Sequence, residues 1–413
     1  MNRNRVSLLC ALLAALYINA AVQAQTPSSP PPIASPITFE KQVIDAAFEN
    51  GYQVSAADVD GDGKLDVLAL STTPSQLVWY RNSSWERFSI TTQTKLNIDL
   101  APSDIDGDGD VDVALASEFD LNDSTAGGLV EWLDNPGDPA AQQDWRRYRI
   151  DAIPTAHRVR WADIDGDGKR ELLVLPIIGV GAKAPDHTTG VRFVAYRVPQ
   201  NPKEEAWPAL EIDSKLTTAH GLAVVRWDNN ERDDILTASF DGLHLFRYDP
   251  KTQTWGKERL GSGNRMDQPK QGSSEVGMGN RKEWPGRFMA AIEPWHGNEV
   301  VVYDPVRYVE DPWRRIVIDS TFNDGHALAV ADFDKDGNDE IVAGYRGAPY
   351  ALYLYNSVSG TRDWQRAAID EGGVAASGVV VADIDNDGNP DILVAGASTN
   401  NVVWYRNRGK SGP

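Results

Sequence analysis

Five copies of one acidic loop recur along the chain, and they constrain its fold more than any other feature. They read DVDGDGKLD from Asp58, DIDGDGDVD from Asp104, DIDGDGKRE from Asp163, DFDKDGNDE from Asp332 and DIDNDGNPD from Asp383. A sixth copy, RWDNNERDD, carries Arg226 in place of the first aspartate. Successive starts lie 46, 59, 63, 106 and 51 residues apart, so the long gap holds one repeat that has lost its loop. Self-similarity at this period marks a repeat architecture.

Two other elements recur seven times each. Runs rich in Val, Tyr and Trp, such as LVWYRN, LVEWLDNP and VVWYRN, follow the loops, and runs such as KQVID, RYRID and RRIVID precede the next ones. They are short, β-branched and aromatic, and are bounded by Asn, Gly, Pro and Asp, which is the composition of strands. Four strands per repeat, seven times over, predict an all-β, seven-bladed β-propeller. An outer-type strand near 41–45 has no blade of its own, and NVVWYRN near the other end lacks an outer strand. Residues 38–45 are therefore expected to complete the last blade and remove its open edge.

Each intact loop places carboxylates at relative positions 1, 3, 5 and 9. These are Asp58, Asp60, Asp62 and Asp66; Asp104, Asp106, Asp108 and Asp112; Asp163, Asp165, Asp167 and Glu171; Asp332, Asp334, Asp336 and Glu340; and Asp383, Asp385, Asp387 and Asp391. Several hard oxygen ligands on a tight, glycine-turned loop suit calcium. An EF-hand would need a glutamate at position 12 and flanking helices, whereas strands such as ELLVL follow here. Five structural calcium ions are expected, with Arg226 as a fixed cation where one is missing. They would offset about half of the formal net charge of -20, which argues against nucleic acid or an anionic membrane as partner.

Ahead of the repeats, Arg3 and Arg5 precede an apolar run from Val6 to Leu16 and a small-residue end at 21–24, the pattern of a secretory signal peptide over residues 1–24. TPSSPPPIASP fits a proline-rich linker over 25–37, leaving 38–413 for the propeller. The single cysteine, Cys10, lies in the signal, so the expected mature chain has no thiol and draws its stability from its core and from bound metal. A secreted or periplasmic protein is expected. No later segment reaches the roughly 18 apolar residues of a membrane span.

Six histidines occur, and three share one repeat position. His157, His220 and His326 each stand six residues before a loop, the second before the degraded copy. In a propeller that position is the entry to the innermost strand, so the three side chains point toward a common axis. Other repeats place Tyr52, Ile98 and Ser377 there, so blade geometry does not demand histidine. His296 adds a fourth from the repeat without a loop, while His187 lies in an insertion and His244 in a strand pattern. Histidines bonded to one another and to trapped water are one reading of this cluster. A zinc or other divalent ion held by His157, His220 and His326 with an open position is another.

The loops resemble those of FG-GAP and VCBS repeat propellers, including the integrin α-subunit head, which serve adhesion, sugar binding and catalysis alike. A narrower resemblance rests on GGLVEWLDNPGD, HRVRWADIDGDGKRELLVLPI, IEPWHGNEVVVY and HALAVADFDKDGNDEIVAG. These segments are similar, in the same order from about residue 98 to residue 345, to the propeller of the aldos-2-ulose dehydratase family.

That resemblance implies a lyase that removes water from a keto-sugar such as 1,5-anhydrofructose, using a base near neutral pKa and a cation on the carbonyl oxygen. It carries over His157, Arg158, His220, Glu293, His296 and His326. Of these, His157, His220 and His326 would supply metal ligands or the base, His296 and Glu293 would assist proton delivery, and Arg158 would orient substrate oxygens. Trp295, and Trp284 in the loop-rich stretch 261–287, are candidates for holding a sugar ring, whereas Trp79, Trp132 and Trp404 recur in strands and read as packing. The family continues into a cupin-like portion tied to an isomerising step, so elimination alone is expected. Two other functions remain open: a non-catalytic, calcium-stabilised propeller for carbohydrate binding or surface adhesion, and a β-eliminating polysaccharide lyase. The site region offers the latter few cations beyond Arg158, Arg160 and Arg346.

Overall fold

The computed structural model describes residues 29, 30, 33, 35, 37–184, 187–228, 230–266, 270–282, 286–305 and 312–410. The expected signal peptide, most of the linker and Trp284 lie outside the described residues. Among those described there is no helix, and the strands form seven four-stranded antiparallel sheets. Blades 1 to 6 span residues 51–91, 99–152, 156–213, 221–261, 275–319 and 325–371. Blade 7 takes three strands from 376–410 and its outermost, Ile37–Asp45, from the other end, paired with Asn401–Lys410. The first strand of every blade touches the first strands of both neighbours, so seven short strands wall one central axis.

The core lies between blades. Glu171–Pro176 and Asp391–Gly396, second strands of blades 3 and 7, are buried throughout. Successive side chains of a strand face opposite ways, and each face meets a different neighbour. Leu172 and Val174 pack with Ala114, Ala116 and Val130 of blade 2, whereas Leu173 and Leu175 pack with Ile235 and Phe246 of blade 4. Trp79 and Trp132 belong to this layer, stacked on Phe88 and Tyr148 at 4.6 and 4.8 Å.

The acidic loops follow the inner strands, at the end opposite the histidines, and all five fold alike. The sixth-position glycine is left-handed in each, with φ from 84° to 99°, a conformation that a β-carbon disfavours. Its N–H donates to the first aspartate, as from Gly63 to Asp58 at 2.9 Å and from Gly388 to Asp383 at 2.8 Å. The second-position N–H donates to the buried ninth carboxylate: Val59 to Asp66 at 3.0 Å, Ile105 to Asp112 at 3.0 Å, Ile164 to Glu171 at 3.3 Å, Phe333 to Glu340 at 2.9 Å and Ile384 to Asp391 at 3.1 Å.

The degraded loop keeps that bond, from Trp227 to Asp234 at 3.1 Å. It docks on its neighbour instead of closing on a centre, with Asp233 N–H donating to the Asp163 carbonyl at 2.8 Å and Asp163 N–H to the Asp233 carboxylate at 2.9 Å. Arg226, expected as a fixed cation, is 71% exposed and only brushes Asp233 at 3.6 Å. With its side chain in solvent, it does not fill the place of an ion.

Asparagines at the ends of third strands join each loop to the blade before it. Asn82, Asn135 and Asn407 donate backbone N–H to the ninth carboxylate of their own blade at 2.7, 2.8 and 2.7 Å. Their side-chain amides donate to the second-position carbonyls of the preceding loop, Ile384, Val59 and Phe333, at 2.8, 3.0 and 2.8 Å.

Candidate functional site: a histidine cluster on the propeller axis

Seven equivalent residues ring the axis where the inner strands begin: Tyr52, Ile98, His157, His220, Ser274, His326 and Ser377. Ile98, His220 and Ser274 each donate backbone N–H to the second strand of their blade at 2.9 Å, which fixes the equivalence. The ladders of the other four shift register at this residue, as at Ala156/Arg158 around His157 and Gly325/Ala327 around His326. An extra residue of this kind leaves the ladder and is re-aimed. Tyr52, His157 and His326 stand at such bulges, whereas His220 meets them from a regular ladder end.

The imidazoles meet there. Ring centroids lie 4.6 Å apart for His157 and His220, 5.1 Å for His220 and His326, 4.8 Å for His220 and His296, and 5.0 Å for His296 and His326. The set with one ring nitrogen each within 4.8 Å of the others is His220, His296 and His326. His157 sits beside that trio, because its Nε2 faces the Tyr52 hydroxyl at 3.0 Å and Arg158 Nη1 at 3.2 Å. Tyr52 also reaches His326 Nε2 at 3.5 Å.

Backbone carbonyls fix two tautomers. His220 Nδ1 donates to Ser274 O at 2.9 Å and His326 Nδ1 to Ser377 O, so both Nε2 lone pairs face inward. His296 differs: Arg346 Nη2 donates to its Nδ1 at 3.0 Å, and its Nε2 stands 3.0 Å from His220 Nε2. Arg346 in turn pairs with Asp324 at 2.7 Å.

All four rings are held neutral at pH 7. Burial pushes His157 well below the ordinary histidine value, and the Arg158 charge adds to the effect. Burial does the same to His296 and His326, reinforced by His220 and Arg346. His220 is lowered by burial too, although its bond to Glu275 opposes the shift. Only His296, with its side chain 25% exposed, opens to solvent; it lies beside Asp324 and Arg346 and 4.8 Å from the Trp295 ring.

Glu293 is committed elsewhere. One carboxylate oxygen accepts from Ser273 at 2.7 Å and Tyr303 at 2.6 Å, and the other from Arg315 Nε at 2.7 Å, all within blade 5 and the segment leading into it. Proximity to His296 in sequence therefore misplaces it, because its side chain turns back into its own blade. His187 and His244 are buried away from these contacts, and burial lowers His244 to about 4. Tyr52, from the shared register position, and Arg346, among the site-region cations, join the cluster, as do Glu275 and Asp324, which nothing in the sequence pattern marks.

A second kind of cluster sits in the acidic loops. Carboxylates 1, 3 and 5 converge to within 4.8 Å in the loops at Asp58, Asp104, Asp163 and Asp332. The third-position carboxylate always meets a cation: Arg81 to Asp60 at 2.7 Å, Lys203 to Asp106 at 2.6 Å, Arg197 to Asp165 at 2.7 Å, Lys410 to Asp334 at 3.3 Å, and Arg406 to Asp385. The other oxygen of Asp60, and one of Asp58, are buried without a partner.

Known proteins match this architecture. The family model for the aldos-2-ulose dehydratase β-propeller domain matches residues 127–306, which include His157, His220 and His296, and the model for FG-GAP-like repeats matches 58–115 and 332–394. Aldos-2-ulose dehydratase of Phanerodontia chrysosporium is 26% identical over 321 residues, covering 72% of this chain and 34% of its own length. The chain thus spans about a third of the curated relative it matches. It is a seven-bladed β-propeller, similar to FG-GAP-like repeats over residues 58–115 and 332–394 and to the propeller domain of aldos-2-ulose dehydratase.

Proposed function

We propose that the protein is an exported carbohydrate lyase, whose axial histidines hold a divalent transition metal and whose site removes water from a keto-sugar such as 1,5-anhydrofructose. The observation that carries this reading is the convergence of His220, His296 and His326 from three blades, with His157 beside them. The donor set fits a zinc-like ion: His220, His296 and His326 are neutral, and two of them have Nδ1–H tied to carbonyls, as metal-ligating histidines do. When bound, such an ion stabilises negative charge on a carbonyl oxygen.

The remaining groups handle substrate and protons. Elimination moves the proton next to the carbonyl onto a base, breaks the neighbouring C–O bond and protonates the departing hydroxide to water. With His326 Nε2 committed to the ion, Tyr52 would exchange a proton with its nearer neighbour, His157 Nε2, at 3.0 Å. Arg158 holds His157 from one side, while Arg346, Asp324 and Trp295 flank His296 at the solvent side, where sugar hydroxyls and an apolar ring face would lie.

In this reading the acidic loops hold structural calcium. The converging carboxylates and the orphaned oxygens of Asp58 and Asp60 support it, since buried lone pairs without partners are costly. The test is incubation with 1,5-anhydrofructose, following the ultraviolet absorbance of the enone product. The reading expects a rise that His326→Ala abolishes, and no rise with the metal-replete wild type would reject it. A carbohydrate-binding propeller without catalysis is the second reading, favoured by the burial of His157, His220 and His326, each at most 2% exposed.

A further inference from the structure

Glu275 touches His220 at Nδ1, the ring nitrogen that does not face His296. It follows Ser274 at the start of the inner strand of blade 5, the blade without an acidic loop. Its Oε1 lies 3.0 Å from His220 Nδ1 and 3.0 Å from Arg158 Nη2, while Arg158 Nη1 reaches His157 Nε2 at 3.2 Å. One carboxylate thus contacts two blades and connects to two of the four histidines.

The surroundings keep this group charged and reachable. The Arg158 guanidinium, itself buried, is its charge partner at 3.0 Å. The Glu275 side chain is 16% exposed, in an axial cavity of about 390 Å³ that Gln53, Arg160, Met278, Val330 and Val381 also line. Gly221 makes the approach possible, because a Cβ there would stand 2.8 Å from Ser274 O and 3.0 Å from Glu275 Cα.

We propose that Glu275 is the positioning carboxylate of the histidine centre: it draws the His220 proton to Nδ1, turns the Nε2 lone pair inward, and clamps Arg158 so that His157 Nε2 acts as an acceptor. This rests on the reading of the cluster as the working site. The physical reason is general. A carboxylate on the outer nitrogen of an imidazole fixes its tautomer and raises the basicity of the inner one, and losing such a partner costs about 10- to 100-fold in metal affinity or activity. Ser274 O also accepts from His220, but it carries no charge and makes no contact with Arg158 among the described bonds.

The test uses full-length protein with ¹⁵N-labelled histidine, in wild type, the near-isosteric Glu275→Gln and Glu275→Ala. Nitrogen NMR of the metal-free protein is expected to show His220 protonated at Nδ1 in wild type. In both variants the His220 and His157 resonances should shift while those of His187 and His244 stay. Cobalt(II) affinity, read by visible absorbance against a competing chelator, is expected to fall about 10- to 100-fold. Unchanged His220 and His157 resonances in both variants overturn the proposal. If Glu275→Ala does not fold, Glu275→Gln alone decides. A wild type that binds no cobalt speaks against the lyase reading instead, and the nitrogen spectra still decide the role of Glu275.

Discussion

His220 Nε2 and His296 Nε2 stand 3.0 Å apart, although they belong to different blades. Two ring nitrogens at that separation need a proton or a cation between them. His220 has its proton on the far side, at Nδ1, bonded to Ser274 and Glu275. His296 accepts from Arg346 at Nδ1, so without metal its Nε2–H donates to His220. To hold a cation through Nε2, His296 would have to carry its proton at Nδ1, giving up the Arg346 bond and facing Asp324, 3.6 Å away.

Two substitutions separate the site from the scaffold. Tyr52→Phe removes the hydroxyl between His157 and His326 and is predicted to lower turnover about 100-fold, with a stability change of about 1 kcal/mol. Glu293→Gln is predicted to do the reverse. It removes the buried carboxylate that Arg315 binds and leaves that guanidinium with Glu299 alone, costing about 2 kcal/mol in urea unfolding, while the folded protein keeps its turnover. Loss of activity in folded Glu293→Gln would return that residue to the site.

Asn135 shows how the blades are joined. Its side chain donates to Val59 O and Val111 O at 3.0 and 3.1 Å, one in each of two adjacent loops. Asn135→Ala strands both buried carbonyls and is predicted to cost about 2 kcal/mol. The exposed Asn201→Ala should stay within about 0.5 kcal/mol of wild type. Equal effects in thermal or urea unfolding would remove the amide bridge as an inter-blade tie.

The ninth-position carboxylates set a pH dependence. Burial above all pushes Asp66 and Asp391 up to about 6, Asp112 and Glu171 to about 7, and Glu340 to about 8. Acids raised on folding contribute stability that is full below their unfolded values, near 4, and is lost as pH rises through 6 to 8. Chelator-treated protein is therefore predicted to melt at lower temperature at pH 8 than at pH 5. Added calcium should raise the melting temperature more at pH 8, where these groups would ionise against it. A calcium shift that is larger at pH 5 would contradict this.

The repeat was legible because aspartates and glycines hold fixed places in every loop, and the seven blades follow from that imprint together with the strand composition. The histidine register was legible for a related reason: the inner strand has nearly constant length, so a six-residue offset from the loop marks the axis. Tyr52 carries the same offset and signal, but as a phenol it was set apart from the imidazoles. Ser274 and Glu275 could not be placed, because blade 5 has no loop to count from. Asp324 and Arg346 reach His296 from blade 6 and the turn before it, a contact with no local trace in the sequence.

The most direct measurement is the metal content of purified protein by mass spectrometry, comparing wild type with His220→Ala/His326→Ala. The account predicts calcium in both, about one transition-metal ion per chain in wild type, and its loss from the variant. Calcium alone in wild type, or a transition metal retained by the variant, would contradict it.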